Sequence, residues 1–162
     1  MAKIFRWTLT KSGFLKQTLN LYLDGVLFGT IPDYSFQEPA EMNGRKYIIE
    51  DDNAFLDYPK IYKLVDLETK KATCEIIWRY SDQQVFVHCP NKVRYELPFG
   101  IGSPAFKDGH EVGNGNVVQS YNNGTMWSPK SGKLEVRADK NTEALIMGFY
   151  FAVHLYNVYR SR

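Results

Sequence analysis

Apolar and polar residues alternate with a period of two along most of this chain, the signature of half-buried β-strands. Thr18–Leu23 and Val26–Ile31 are two such runs joined by Asp24-Gly25. Asp-Gly between alternating runs predicts a hairpin, because glycine accepts the positive φ of a type I′ turn. That register sets Leu23 opposite Val26 and Leu21 opposite Phe28, with Leu19, Leu21, Leu23, Val26 and Phe28 on one face. A second hairpin follows from Ala72–Tyr80 and Gln83–Pro90, turning near Ser81-Asp82. It sets Trp78 against Val85, Ile76 against Val87 and Cys74 against Cys89, with Glu75 meeting His88 and Ile77 meeting Phe86 on the other face. A one-residue slip would scramble the apolar face, so this register is strongly specified.

Further strands are predicted at Ile4–Thr10, Arg45–Asp51, Lys60–Asp66, Val93–Leu97, Val117–Asn122, Thr125–Trp127 and Lys133–Ala138. The expected total is about eleven or twelve. Leu67–Lys70 turns the chain into the Ala72 strand, and Asn123-Gly124 is a second hairpin turn. Pro98–Asn116, rich in Gly and Pro, reads as a long surface loop carrying His110. Pro32–Gly44 gives no clear pattern.

The period then changes. Asn141–Arg162 (NTEALIMGFYFAVHLYNVYRSR) reads as one helix, about 142–159, apolar nearly all the way round. Thr142 or Asn141 suits its cap, Glu143 its first turn, and Arg160 and Arg162 its far end. A helix without a polar face must be wrapped in protein or in lipid. The apolar run is short for a bilayer and is interrupted by His154 and Asn157, which are costly in hydrocarbon. A closed sheet of about eleven strands has room for a helix along its axis. The expected fold is therefore mainly β: a closed antiparallel barrel of about 11–12 strands around a central C-terminal helix, one domain spanning residues 1–162.

Composition narrows the function classes. Among 162 residues, 44% are hydrophobic and 15% aromatic, as a packed domain requires. Twenty basic and 18 acidic residues leave a net charge of +2, which does not suggest a nucleic-acid partner. Lys3, Arg6 and Lys11 interrupt any amino-terminal secretory signal, so the expectation is a cytoplasmic protein, soluble or peripheral to a membrane, whose Cys74 and Cys89 are thiols.

The succession of hairpins ending in TEALIMGFYFAVHLYNVY, with the strand–turn–strand pattern KLVDLETKKATCEI (Lys63–Ile76), resembles the tubby-like β-barrel superfamily. That group includes the tubby carboxy-terminal domain, the LURP-one-related proteins and the phospholipid scramblases. The resemblance spans the whole chain but is architectural. It implies a barrel threaded by its last helix and a link to phospholipid. Arg137–Asn141 (RADKN) lacks the acidic calcium segment associated with the scramblases, so calcium binding is not carried over.

Chemistry-bearing residues are few. His88, Cys89 and Cys74 lack zinc spacing, and His88 and Cys89 point to opposite faces, so no metal or other cofactor is expected. His154 in the apolar helix reads as a neutral, hydrogen-bonded core imidazole. Gly100-Ile101-Gly102 and Gly113-Asn114-Gly115 make no phosphate loop, and no nucleophile–base–orienter set emerges, so no enzyme is expected. One cluster stands out. Extending the Cys74–Cys89 register places Lys71 near Lys92, with Lys70 and Arg94 at the same end. Facing like charges destabilise a strand pair unless carboxylates or a bound anion offset them. Asp66 and Glu68 in the adjoining turn offer the first solution, an anionic lipid headgroup the second. The expected function is a non-catalytic module that binds anionic lipid headgroups or a membrane surface. The alternatives are a barrel carrier of a small apolar ligand and a tail-anchored protein.

Overall fold

The computed structural model describes residues 2–12, 16–33, 38–79, 81–98, 108–122, 131–138 and 140–160, leaving aside the side chains of 11, 12, 16, 122 and 154–160. Among the described residues twelve strands run in chain order: β1 (Lys3–Ser12), β2 (Lys16–Leu23), β3 (Val26–Ile31), β4 (Ala40–Met42), β5 (Arg45–Asp51), β6 (Lys60–Asp66), β7 (Ala72–Arg79), β8 (Gln84–His88), β9 (Arg94–Pro98), β10 (Asp108–Glu111), β11 (Asn116–Asn122) and β12 (Ser131–Val136). Each pairs antiparallel with its neighbours in sequence, and β12 pairs with β1 from Lys3↔Val136 to Thr8↔Ser131, closing a barrel. Closure removes every sheet edge, which is where an alternating β-sheet otherwise invites aggregation.

The β7–β8 hairpin adopts the register derived from its sequence, with Trp78↔Val85, Ile76↔Val87, Ile77↔Phe86 and Glu75↔His88. The β2–β3 hairpin departs from expectation. Leu23↔Val26 is kept and Asp24 and Gly25 both take positive φ (52° and 79°), but a bulge between Leu21 and Tyr22 sets Leu21 against Gly29 rather than Phe28. The extra residue flips the rest of β3. Gly29 and Ile31 are buried, while Val26 and Leu27 face solvent. Two short strands were not anticipated. β4 precedes a tight Asn43-Gly44 turn (φ 53° and 78°) within the unclear Pro32–Gly44 stretch. β10 lies within the stretch read as a surface loop, pairing His110 with Glu96. Thr125–Trp127 and the Asn123-Gly124 turn lie outside the described residues.

The chain then enters the barrel as α1 (Thr142–Arg160). Asn141 takes φ 62° and its carbonyl accepts the Leu145 amide at 3.0 Å, marking the helix start. Ala144 through Val153 are all buried, so the helix has no solvent face over this length. Its contacts reach walls set far apart around the ring. Phe149 meets Trp7 of β1 edge-on at 5.3 Å, and Phe151 stacks on Tyr62 of β6 at 4.5 Å. Gly148 sits against Val87 of β8 and Leu97 of β9. Polar atoms inside find partners on the wall, as burial demands: the Tyr150 hydroxyl donates to the Pro32 carbonyl at 3.3 Å. The His154 and Asn157 side chains lie outside the described residues. Among the described residues, no helix is long and apolar enough to cross a membrane.

Candidate anion-binding end of the barrel

Strand direction sorts the turns between the two barrel ends. The end where α1 begins carries Asp24-Gly25, Asn43-Gly44, the 67–71 turn between β6 and β7, the 89–93 turn between β8 and β9, and Val112–Gly115 between β10 and β11. Topology therefore gathers Lys70, Lys71, Lys92 and Arg94 at the rim that surrounds the helix start.

Asp66 organises the β6–β7 turn. It is only 6% exposed, and its Oδ1 accepts the amides of Glu68 (2.8 Å) and Thr69 (3.3 Å), an Asx-type turn. Its Oδ2 accepts Arg45 Nε at 3.0 Å and lies 2.7 Å from another guanidinium nitrogen. Hydrogen bonds between ionised partners are stronger than those between neutral groups. Burial pushes the Asp66 carboxyl up, but the two backbone donors and Arg45 outweigh it and hold it below the usual carboxylate range. Glu68, largely exposed, lies 3.7 Å from the same guanidinium. Arg45 therefore engages both carboxylates of the β6–β7 turn. Among the described residues, Lys70, Lys71, Lys92 and Arg94 form no ion pair.

The four cations are not arranged as the extended register implied. β7 starts at Ala72 and β8 ends at His88, and Pro90–Lys92 then forms a tight helical turn closed by Cys89 N–H donating to Val93 O at 2.8 Å. Lys71 and Lys92 thus sit in neighbouring turns at one rim rather than facing each other in a ladder. Lys70 and Lys92 occupy left-handed backbone positions (φ 60° and 63°). Long side chains rarely adopt that conformation, which glycine and asparagine accept readily. Arg94 is the strand-borne member, paired across β8 with His88, which in turn pairs with Glu75. Burial and then the Arg94 charge depress the His88 pKa below its ordinary 6.5, against an opposing pull from Glu75.

Sequence reasoning missed two members of this end. Arg45 is the partner of Asp66, yet 21 residues separate them and only the β5–β6 register (Tyr47↔Asp66) brings them together. Lys140, just before the helix, is exposed and close enough to Cys89 to favour its thiolate. Burial nonetheless wins there and pushes the Cys89 thiol up to about 11. Cys74 is pushed higher still by burial, then by neighbouring Cys89, and both are buried free thiols. Tyr95, whose hydroxyl accepts Asn141 Nδ2 at 3.2 Å, ties the helix start to β9.

Elsewhere, His110 lies on the outer face of β10 with Nε2 3.2 Å from Glu96 Oε2. Among the described residues, no group of three or more His, Cys, Asp or Glu side chains is placed to hold a metal ion. Compared with protein-family models, curated proteins and solved structures, the chain matches none.

Proposed function

We propose that this protein is a non-catalytic binding module that takes a phosphate-bearing lipid headgroup, at an anionic membrane surface, on the end where the helix begins. The supporting observation is the division of charge in the β6–β7 turn. Arg45 engages Asp66 and Glu68, and among the described residues Lys70, Lys71, Lys92 and Arg94 form no ion pair. Like charges gathered on one rim repel, and an anion relieves that repulsion. Two lysines held at left-handed turn positions fit the pattern of backbone strain at binding sites. The helix start adds a weak positive potential to the same end.

The barrel form, with hairpins throughout and a last apolar helix inside, supports reading the chain as tubby-like. The other candidate roles have less support. A carrier needs open space along its axis, which here is occupied by Phe149, Phe151 and their neighbours. A tail anchor needs a helix free to leave its domain, whereas Ala144 to Val153 are walled in on every side. Free Cys74 and Cys89 suit a reducing, cytoplasmic compartment, with membrane association peripheral.

The test is co-sedimentation with vesicles of phosphatidylcholine, with and without phosphatidylserine. Each Lys or Arg near an anionic surface contributes about 1 kcal/mol. Replacing Lys70, Lys71 and Lys92 by Glu should therefore weaken binding by about 100-fold or more. Lys63→Glu on the outer wall, which changes net charge but not this end, should have little effect. Equal binding by the triple variant and the parent overturns the proposal. Inorganic phosphate that fully displaces the vesicles would assign the site to free phosphate instead.

A further inference from the structure

Two exposed apolar side chains flank the cations of the helix-start rim. Leu67 opens the β6–β7 turn and Val112 opens the β10–β11 turn, 41% and 50% exposed. Both are fixed by their backbones. Leu67 N–H donates to Lys46 O of β5 at 3.0 Å, and the Asp66 carboxylate holds the rest of that turn through the amides of Glu68 and Thr69. Val112 N–H donates to Arg94 O at 2.9 Å, and Asn114 N–H closes the same turn onto Glu111 O at 2.9 Å. Between the two runs the 89–93 turn with Lys92, followed by Arg94. The strand order β6-β7-β8-β9-β10 makes the three turns neighbours along the rim. Lys70, Lys71, Lys92 and Arg94 therefore lie between two apolar points on hydrogen-bonded supports.

Charge separates the two ends of the barrel. The three turns, taken with Arg45, carry five cations (Arg45, Lys70, Lys71, Lys92 and Arg94) against three carboxylates (Asp66, Glu68 and Glu111), a net +2. Asp66 and Glu68 are engaged by Arg45, and Glu111 is half-buried. The β5–β6 connection at the opposite end displays larger apolar side chains, with Phe55 and Leu56 92% and 87% exposed. Its residues 50–60 (EDDNAFLDYPK) carry four carboxylates against one base, a net −3. On exposed apolar area alone, a bilayer would take the Phe55–Leu56 tip. An anionic bilayer repels that tip and attracts the rim, so charge decides between them. A single exposed leucine or valine is ordinary on a protein surface. Beside cations that form no ion pair among the described residues, it has the composition of an interfacial anchor, in which basic groups meet phosphate while apolar groups reach the acyl boundary.

We propose that this end of the barrel enters an anionic bilayer rather than resting on its headgroups. Leu67 and Val112 pass the phosphate layer on either side of the cations, and the acidic Phe55–Leu56 tip points away from the membrane. The inference rests on the headgroup reading above and extends it from a bound anion to the lipid interior. Lysine and arginine stems are long enough to keep their charges at the phosphates while the turns sink past them. Turns already held by hydrogen bonds lose little freedom on insertion, which favours binding. Salt screens the cations but not the apolar contact, so the two contributions are separable.

Two measurements on the full chain test it: co-sedimentation with phosphatidylcholine–phosphatidylserine vesicles, and the surface pressure of a monolayer of the same lipids. The monolayer is set above the pressure at which the protein enters a bare air–water interface, so a further rise reports penetration. The parent should bind the vesicles and raise the pressure. Leu67→Ser combined with Val112→Ser should bind about 10-fold more weakly and raise no pressure. Phe55→Ser combined with Leu56→Ser, which removes more exposed apolar surface at the other end, should match the parent in both measurements. All four positions are exposed, and circular dichroism melts matching the parent establish that both variants are folded. A parent that binds without raising the pressure, or a Leu67/Val112 variant that behaves as the parent does, overturns insertion and leaves the headgroup reading standing. Loss of the pressure rise in the Phe55/Leu56 variant overturns the orientation. A parent that binds no anionic vesicles removes both readings.

Discussion

Replacing Gly148 by Ala distinguishes an enclosed helix from one with an open face by the sign of the stability change. A Cβ at Gly148 would lie 2.7 Å from a Val87 methyl and 3.3 and 3.5 Å from the Leu97 methyls. Valine is stiff about χ1, so that methyl cannot swing away without a rotamer penalty. Overpacking of this kind costs about 1–3 kcal/mol. Against it stands the gain from replacing a mid-helix glycine with alanine, about 1 kcal/mol. The net expectation is a loss of about 1 kcal/mol, or about 2–4 °C in Tm for a domain of this size. A glycine facing open space would give a gain of about 1 kcal/mol instead. Val87→Ala makes the reasoning sharper. Alone it leaves a void and costs about 2 kcal/mol, but combined with Gly148→Ala the new methyl occupies part of that void. Urea denaturation followed by tryptophan fluorescence should give a favourable coupling of about 1 kcal/mol between the two sites. Stabilisation by Gly148→Ala, or additive effects of the pair, would refute the packing described here.

Two further outcomes follow from the basic end. Lys70→Gly relieves a left-handed position (φ 60°) and should raise stability by about 1 kcal/mol while weakening vesicle binding, so stability and affinity move in opposite directions. A fall in stability contradicts the backbone account. His88 serves as a reporter of Arg94. Its folded pKa is depressed by burial and then by the Arg94 charge, so its neutral form favours folding above pH 6.5, and that contribution is lost as pH falls through the lower folded value. Arg94→Ala should raise the His88 pKa toward 6.5 in an NMR titration, and anionic headgroup binding should move it the same way. No movement in either experiment separates Arg94 from the site.

The elements legible in the sequence were those with long, unambiguous periodicity. The β7–β8 hairpin was fixed by three apolar pairs that cannot slip, and α1 by an apolar run with no polar face. β4 and β10, with three and four residues, are too short to display a period. β10 was also hidden inside a Gly- and Pro-rich stretch. The β2–β3 bulge reversed the inward side of β3, leaving Phe28 half-buried edge-on against Phe5 and bringing the β4 backbone closest at Gly29. A Cβ there would lie 2.5 Å from the Glu41 carbonyl oxygen. At the candidate site, the gathering of Lys70, Lys71, Lys92 and Arg94 at one end was readable from strand order. Their relation to Asp66 and Glu68 was not, because the deciding partner, Arg45, arrives through the pairing of another hairpin. Tight turns likewise replaced the extrapolated ladder between Lys71 and Lys92.

The account rests most heavily on the helix lying inside the closed barrel, and amide hydrogen exchange of residues 144–153 measures that directly. An enclosed helix can exchange only when the barrel opens, so these amides should be among the slowest in the protein, with opening free energies equal to that of global unfolding. Exchange at the rate of a fraying or independently mobile helix, well ahead of the β7–β8 amides, would contradict the enclosure and the fold built on it.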